Sequence, residues 1–130
     1  MNERSDRLTQ LLTGIKSEEY CYLTTTGRLS GRPHEIEIWF GLRDDTIYLL
    51  SGGGRDSDWV KNLLKKPDVR VRIAGHVFSG TARLVMEAEE EMAARYMLAG
   101  KYQEWEADRT LSEWARTALV VGVELEYFPG

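Results

Sequence analysis

Two glycine-bearing segments hold the side chains best suited to binding a small anion. The first is Thr24-Thr25-Thr26-Gly27-Arg28-Leu29-Ser30-Gly31-Arg32-Pro33, and the second is Ser51-Gly52-Gly53-Gly54-Arg55, which leads into Asp58-Trp59-Val60-Lys61-Asn62-Leu63. Glycine lets a backbone turn its N–H groups toward a ligand, while serine hydroxyls and guanidinium groups add donors matched to phosphate oxygens. Neither segment is a nucleotide fingerprint. No Gly-Lys-Ser/Thr completes a P-loop after Gly54, and the glycine spacing is not Gly-x-Gly-x-x-Gly. A triple glycine alone serves equally well as a flexible turn; the pairing of two such segments at strand ends is what favours an anion site.

Other chemistry is poorly supplied. His34 and His76 fall in different hairpins without ligand spacing, and Cys21 is the sole cysteine, so neither a metal site nor an intrachain disulfide is expected. Ser30 and Ser51 lack a Gly-x-Ser-x-Gly context and an identifiable base, which argues against a hydrolase. Glu35 and Glu37 share a strand face and could imitate an acid/base pair, but solvent or partner contact is the simpler role. Trp59 and Leu63 form a helix packing stripe in which Trp59 can serve core and ligand together.

These segments must be positioned by one modest core. The chain has 130 residues, 42% of them hydrophobic, and reads as one domain spanning 1–130. Its net charge of -4 and pI near 5.3 argue against nucleic acid as a partner, because backbone phosphates demand a basic excess. Yet residues 27–72 carry nine Arg or Lys against seven acids, so a small anion can be held locally. The polar start Met1-Asn2-Glu3-Arg4-Ser5-Asp6 lacks a secretory apolar stretch, and no run approaches the roughly 18 apolar residues of a membrane span. With a single cysteine, a soluble protein of the reducing cytoplasm is expected.

Leu8, Leu11, Leu12 and Ile15 recur at helical spacing behind a Ser5 cap. Strands are predicted over 20–26, 34–40, 46–50, 69–73, 77–85 and 118–127. In the second, Ile36, Ile38 and Phe40 alternate with Glu35, Glu37 and Trp39, and the third is its hairpin partner across Asp44-Asp45. A helix over 58–66 is capped by Ser57 and stopped by Pro67; another runs from Glu87 through Tyr96 toward Gly100, with further helical pieces to Arg116. The result is mainly β with flanking helices: six antiparallel strands able to curl into a small barrel.

Residues 22–84 resemble the deazaflavin-dependent nitroreductase-like branch of the flavin/deazaflavin oxidoreductases, which share the pyridoxamine-phosphate-oxidase-like split β-barrel. The resemblance is carried by Leu23 to Pro33, by the strand ending Ile38-Trp39-Phe40, and by Ser51-Gly52-Gly53-Gly54 followed by Trp59-Val60-Lys61-Asn62-Leu63. It implies a six-stranded split barrel holding the deazaflavin coenzyme F420 in a surface groove. By that resemblance Arg28, Ser30 and Arg32 meet the phosphate or its acidic tail, Ile38 and Trp39 line the ring, and Ser51, Gly52, Gly53, Gly54, Arg55 and Trp59 complete the groove. Many relatives carry Lys where this chain has Leu29, which leaves FMN on the same barrel as the alternative cofactor.

The implied reaction is hydride transfer from the cofactor to a small electron-poor organic acceptor, with a proton from solvent or a nearby acid; the protein mainly orients the cofactor. Tyr96 and Tyr102, in the helical region, are the candidate catalytic proton donors, with aromatic packing as their structural alternative. A non-catalytic module that binds a flavin or deazaflavin without turnover is the competing class. Relatives often form a homodimer through sheet faces, a role open here to the face of Glu35, Glu37 and Trp39.

Overall fold

In the computed structural model, residues 3–107 and 109–127 are described. Met1 and Asn2 of the polar start lie outside them. Helix α1 (Glu3–Ile15) buries Leu12 and Ile15 and packs Leu8 and Leu11 against the core. It begins two residues ahead of the expected cap, placing Ser5 inside the helix, because Glu3 and Arg4 are good helix formers and extend it backward.

Seven strands follow instead of six: β1 (Cys21–Thr26), β2 (Pro33–Ile38), β3 (Gly41–Arg43), β4 (Thr46–Ser51), β5 (Asp68–Ile73), β6 (His76–Leu84) and β7 (Leu119–Tyr127). They form one antiparallel sheet in the order β2-β1-β5-β6-β7-β4-β3. Side chains from both halves of this order, including Leu23, Leu42, Ile47, Val71, Phe78 and Val123, share one buried cluster, with Ile36 and Ile38 of β2 packed against it. Opposite edges of a sheet can meet in one core only if the sheet curls, and here it makes a half-barrel.

The extra strand arises where the predicted 34–40 strand breaks after Ile38. β3 joins the opposite edge of the sheet, so β4 pairs with β3 and β7 and never with β2. Two contacts account for the break. The Phe40 carbonyl accepts from Lys101 Nζ at 3.0 Å, so it serves a helix and not a ladder. Gly41 then passes against the same helix so closely that a Cβ would lie 2.5 Å from Met97 Sδ and 2.9 Å from Leu98 Cδ1. Phe40 keeps the burial parity of Ile36 and Ile38, which is why alternation alone conceals the change of direction.

Helix α2 (Asp58–Lys65) follows a single 3-10 turn, Gly54–Asp56, and buries Val60, Asn62 and Leu63. Helix α3 (Ala88–Tyr102) covers the outer face of β4 and β7, where Tyr48, Leu50, Ala94, Leu98 and Val120 form a second cluster. The short helix α4 (Glu113–Thr117) is capped by Ser112, whose Oγ accepts from the Ala115 N–H at 3.1 Å. Arg95, 7% exposed, ties α3 to α4 by donating to the carbonyls of Ala115 at 3.1 Å and Ala118 at 2.8 Å.

Candidate functional site

The β1–β2 connection is a closed loop. The Gly27 N–H donates to the Arg32 carbonyl at 2.8 Å, and the Gly31 N–H to the Gly27 carbonyl at 2.9 Å. Gly31 has φ 73°, a left-handed conformation that glycine adopts without a steric penalty. Ser30 Oγ accepts from the Arg32 N–H at 3.1 Å. A Cβ on Gly27 would lie 2.6 Å from Ser30 Oγ and 2.8 Å from His34 Nε2, so these side chains stand where only glycine leaves room.

Helix α2 fixes this loop from the side. Asn62 is 4% exposed; its Nδ2 donates to Thr25 Oγ1 at 3.2 Å, and its Oδ1 accepts from the Arg28 N–H at 3.1 Å and from Arg28 Nη1 at 2.8 Å. Arg28 Nη2 reaches Asp58 at 3.3 Å. The loop, the first half of β2 (His34, Glu35, Ile36) and the start of α2 (Asp58, Trp59, Asn62) enclose a groove of about 460 Å³.

A second groove, of about 360 Å³, lies against the other half of β2. It is lined by Tyr20, Glu37, Ile38, Trp39, Leu50, Gln103 and Trp114. Trp39 stacks on Tyr102 with centroids 4.4 Å apart and planes 4° from parallel, and Trp114 meets Trp39 edge-on at 5.5 Å. β2 is an edge strand paired only with β1, so its outer backbone groups face the open side of the sheet along both grooves. Its outward carboxylates are partly engaged, Glu37 by the Tyr22 hydroxyl at 2.9 Å and Glu35 by Arg72 at 3.4 Å.

Tyr102 sits beneath Trp39 with its hydroxyl directed at backbone: it accepts from the Phe40 N–H at 2.9 Å, and the Glu19 carbonyl lies 2.7 Å away as acceptor. Burial pushes the phenol up to about 12, so it keeps its proton at neutral pH. Beside it, burial lowers Lys101 to about 8; its ammonium donates to the Lys16 carbonyl at 3.2 Å and lies 3.7 Å from the Phe40 ring centroid. Tyr96 stacks on Trp105 at 4.7 Å, and neither tyrosine lines the two grooves.

The second glycine segment has its own closure. Ser51 Oγ donates to the Gly54 carbonyl at 3.0 Å and lies 2.9 Å from Ser57 Oγ. Ser57 occupies the α2 cap position, but its hydroxyl makes no bond to the helix; the proximity of Ser51 redirects it. Gly52 faces Trp114, with a built Cβ 3.8 Å from its ring, and Arg55 is exposed. Of the residues singled out from sequence, Arg28, Ser30 and Trp59 line the first groove and Ile38 and Trp39 the second. Arg32, Ser51, Gly52, Gly53, Gly54 and Arg55 flank them without lining either.

Asn62, Asp58, Gln103 and Trp114 are additions from the structure. A polar residue beside Val60 and Leu63 on a strongly amphipathic helix is a readable signal for Asn62, whereas Gln103 caps the end of α3 and Trp114 sits in the five-residue α4, too short to show a period. Among the described residues no group of three or more His, Cys, Asp or Glu could hold a metal ion, and no helix is long and apolar enough to cross a membrane.

Residues 3–125 match the family model described as F420H(2)-dependent quinone reductase. The chain belongs to that family. No curated protein sequence matches it. Similar solved structures include a Bacteroides thetaiotaomicron protein named for 5-nitroimidazole antibiotic resistance, with TM-score 0.71, 20% identity and coverage of 89% of this chain and 78% of that one. A conserved hypothetical protein of Mycobacterium tuberculosis aligns at TM-score 0.68 and 22% identity, covering 95% and 78%. An F420-H2 dependent reductase aligns at TM-score 0.62 and 22% identity, covering 82% and 94%. At these identities the structural likeness shows the shared fold, while the family match makes the chain an F420H2-dependent reductase with a deazaflavin cofactor.

Proposed function

We propose that this family member transfers a hydride from F420H2, held along β2, to a small planar electron-poor acceptor such as a quinone or a nitro-substituted ring. The observation that carries this reading is that one edge strand borders both grooves, the first suited to an anion and the second walled by tryptophans. The donor set fits a phosphate-bearing ligand: Arg28 and the Ser30 hydroxyl line the first groove, and Arg32 is exposed beside it. When bound, the cofactor supplies the hydride.

In this reading Arg28, Ser30 and Arg32 hold the phosphate or acidic tail, with Arg28 preset by Asn62 and Asp58. The outer edge of β2 at Ile38 and the face of Trp39 receive the ring system. Ser51, Gly52, Gly53, Gly54 and Arg55 form the adjoining rim, and Trp59 closes the first groove. Tyr102 acts as a positioning residue by fixing the Trp39 plane, and the proton comes from solvent at the open second groove. The test is oxidation of F420H2 by the purified protein with a panel of quinones and nitroaromatics. Accelerated oxidation is expected; saturable F420 binding without turnover on any acceptor would instead indicate a binding module, and a co-purified chromophore with the mass of FMN would indicate FMN.

A further inference from the structure

Gln103 follows the last residue of α3 and lines the second groove beside Trp39 and Trp114. The orientation of its exposed amide is assigned from the hydrogen bond it makes. Ser112 Oγ lies 2.7 Å from Gln103 Oε1, a separation typical of O–H···O and short for N–H···O. The same hydroxyl already accepts from the Ala115 N–H, so its own proton is available for Gln103 Oε1. With Oε1 engaged by Ser112, the two Nε2 hydrogens are the side-chain donors Gln103 has to present, and no described residue takes them.

We infer that Gln103 is a specificity-determining residue that donates from Nε2 to a carbonyl or nitro oxygen of the acceptor, with Ser112 as the residue that positions it. The inference rests on the proposed reading that the cofactor ring lies along Ile38 and Trp39, so that an acceptor meeting that ring shares the second groove with Gln103. The tryptophan faces supply contact that any flat apolar ring can use, and so discriminate little. An oriented amide donor rewards a ring that carries an oxygen acceptor, because a ring without one would displace solvent and leave Nε2 unpaired.

The experiment titrates the cofactor-free protein with menadione and with 2-methylnaphthalene, a ring of similar size lacking carbonyls, following tryptophan fluorescence. Wild type should bind menadione more tightly. Gln103→Leu should weaken menadione about 5–10-fold and leave 2-methylnaphthalene unchanged. Ser112→Ala should weaken menadione about 2–3-fold, and Ser112→Thr, which keeps the hydroxyl, should restore it. Unchanged menadione affinity in Gln103→Leu, or an equal loss for both ligands, overturns the inference. Failure of the wild type to bind either ligand overturns the placement of the acceptor as well, whereas menadione binding without F420 binding leaves the Gln103 role standing and removes the proposed reaction.

Discussion

Replacing Asn62 by leucine tests whether α2 holds the β1–β2 loop. Leucine keeps the branched heavy-atom skeleton of asparagine, so the loss is chiefly polar: the bond to Thr25 Oγ1, the bond from the Arg28 N–H and the charged bond from Arg28 Nη1 disappear together. Neutral hydrogen bonds contribute about 1 kcal/mol each and a charged one about 2 kcal/mol. Thr25 is 1% exposed, so its hydroxyl has little access to replacement water, whereas the guanidinium of Arg28 can recover part of its solvation. A net loss of about 2–3 kcal/mol follows. With an unfolding entropy of about 2.1 cal/mol/K per residue, this lowers Tm by about 7–11 °C in calorimetry. F420 affinity should also fall several-fold, since Arg28 is no longer preset. The double-mutant cycle with Arg28→Ala should show a coupling of about 1 kcal/mol or more. A Tm within about 2 °C of wild type, or strict additivity in the cycle, would refute the reasoning.

Gly41→Val forces a branched side chain into the space of Met97 and Leu98 and should destabilise by about 1–3 kcal/mol, lowering the urea midpoint without changing the slope. Glu90 is held down to about 2, first by Arg83, whose guanidinium makes two bonds of 2.8 and 2.7 Å, and then by the Tyr48 hydroxyl at 2.6 Å. Its folded-state value lies below the ordinary 4.5, so its contribution is complete above about pH 4.5 and lost as pH falls toward 2; chemical denaturation across that window should show a shallower slope in Glu90→Gln. Lys101 runs in the opposite sense. Burial disfavours its charged form, the unfolded chain binds more protons between about 8 and 10.5, and stability from this group rises with pH there; Lys101→Met should remove that rise.

Much of the fold was legible because apolar alternation and punctuation agree along most of the chain. Val69, Val71 and Ile73 are buried as their spacing implies, and so are Val121, Val123 and Leu125. Alternation reports a face but not a partner. Alternation alone therefore joins Phe40 to β2 and gives no sign of β3, whose position depends on Phe40 and Gly41 meeting a helix some sixty residues away. Ser57 shows the same limit at a cap: its type fits the helix start, but Ser51, brought close by the 3-10 turn, redirects its hydroxyl. The glycine loop was visible through local turn chemistry. The aromatic cluster around Trp39 was not, because Trp39, Tyr102 and Trp114 converge from the β2–β3 connection, α3 and α4 with no common period.

The most direct measurement of cofactor placement is the F420 affinity of wild type and of Arg28→Ala/Arg32→Ala, read from deazaflavin fluorescence at low ionic strength. Wild type should bind saturably, and the double variant should bind at least about tenfold more weakly, since two charge-assisted phosphate contacts each contribute more than 1 kcal/mol. Equal affinity in the two proteins, or no F420 binding by the folded wild type at high micromolar concentration, would contradict a phosphate site at the β1–β2 loop.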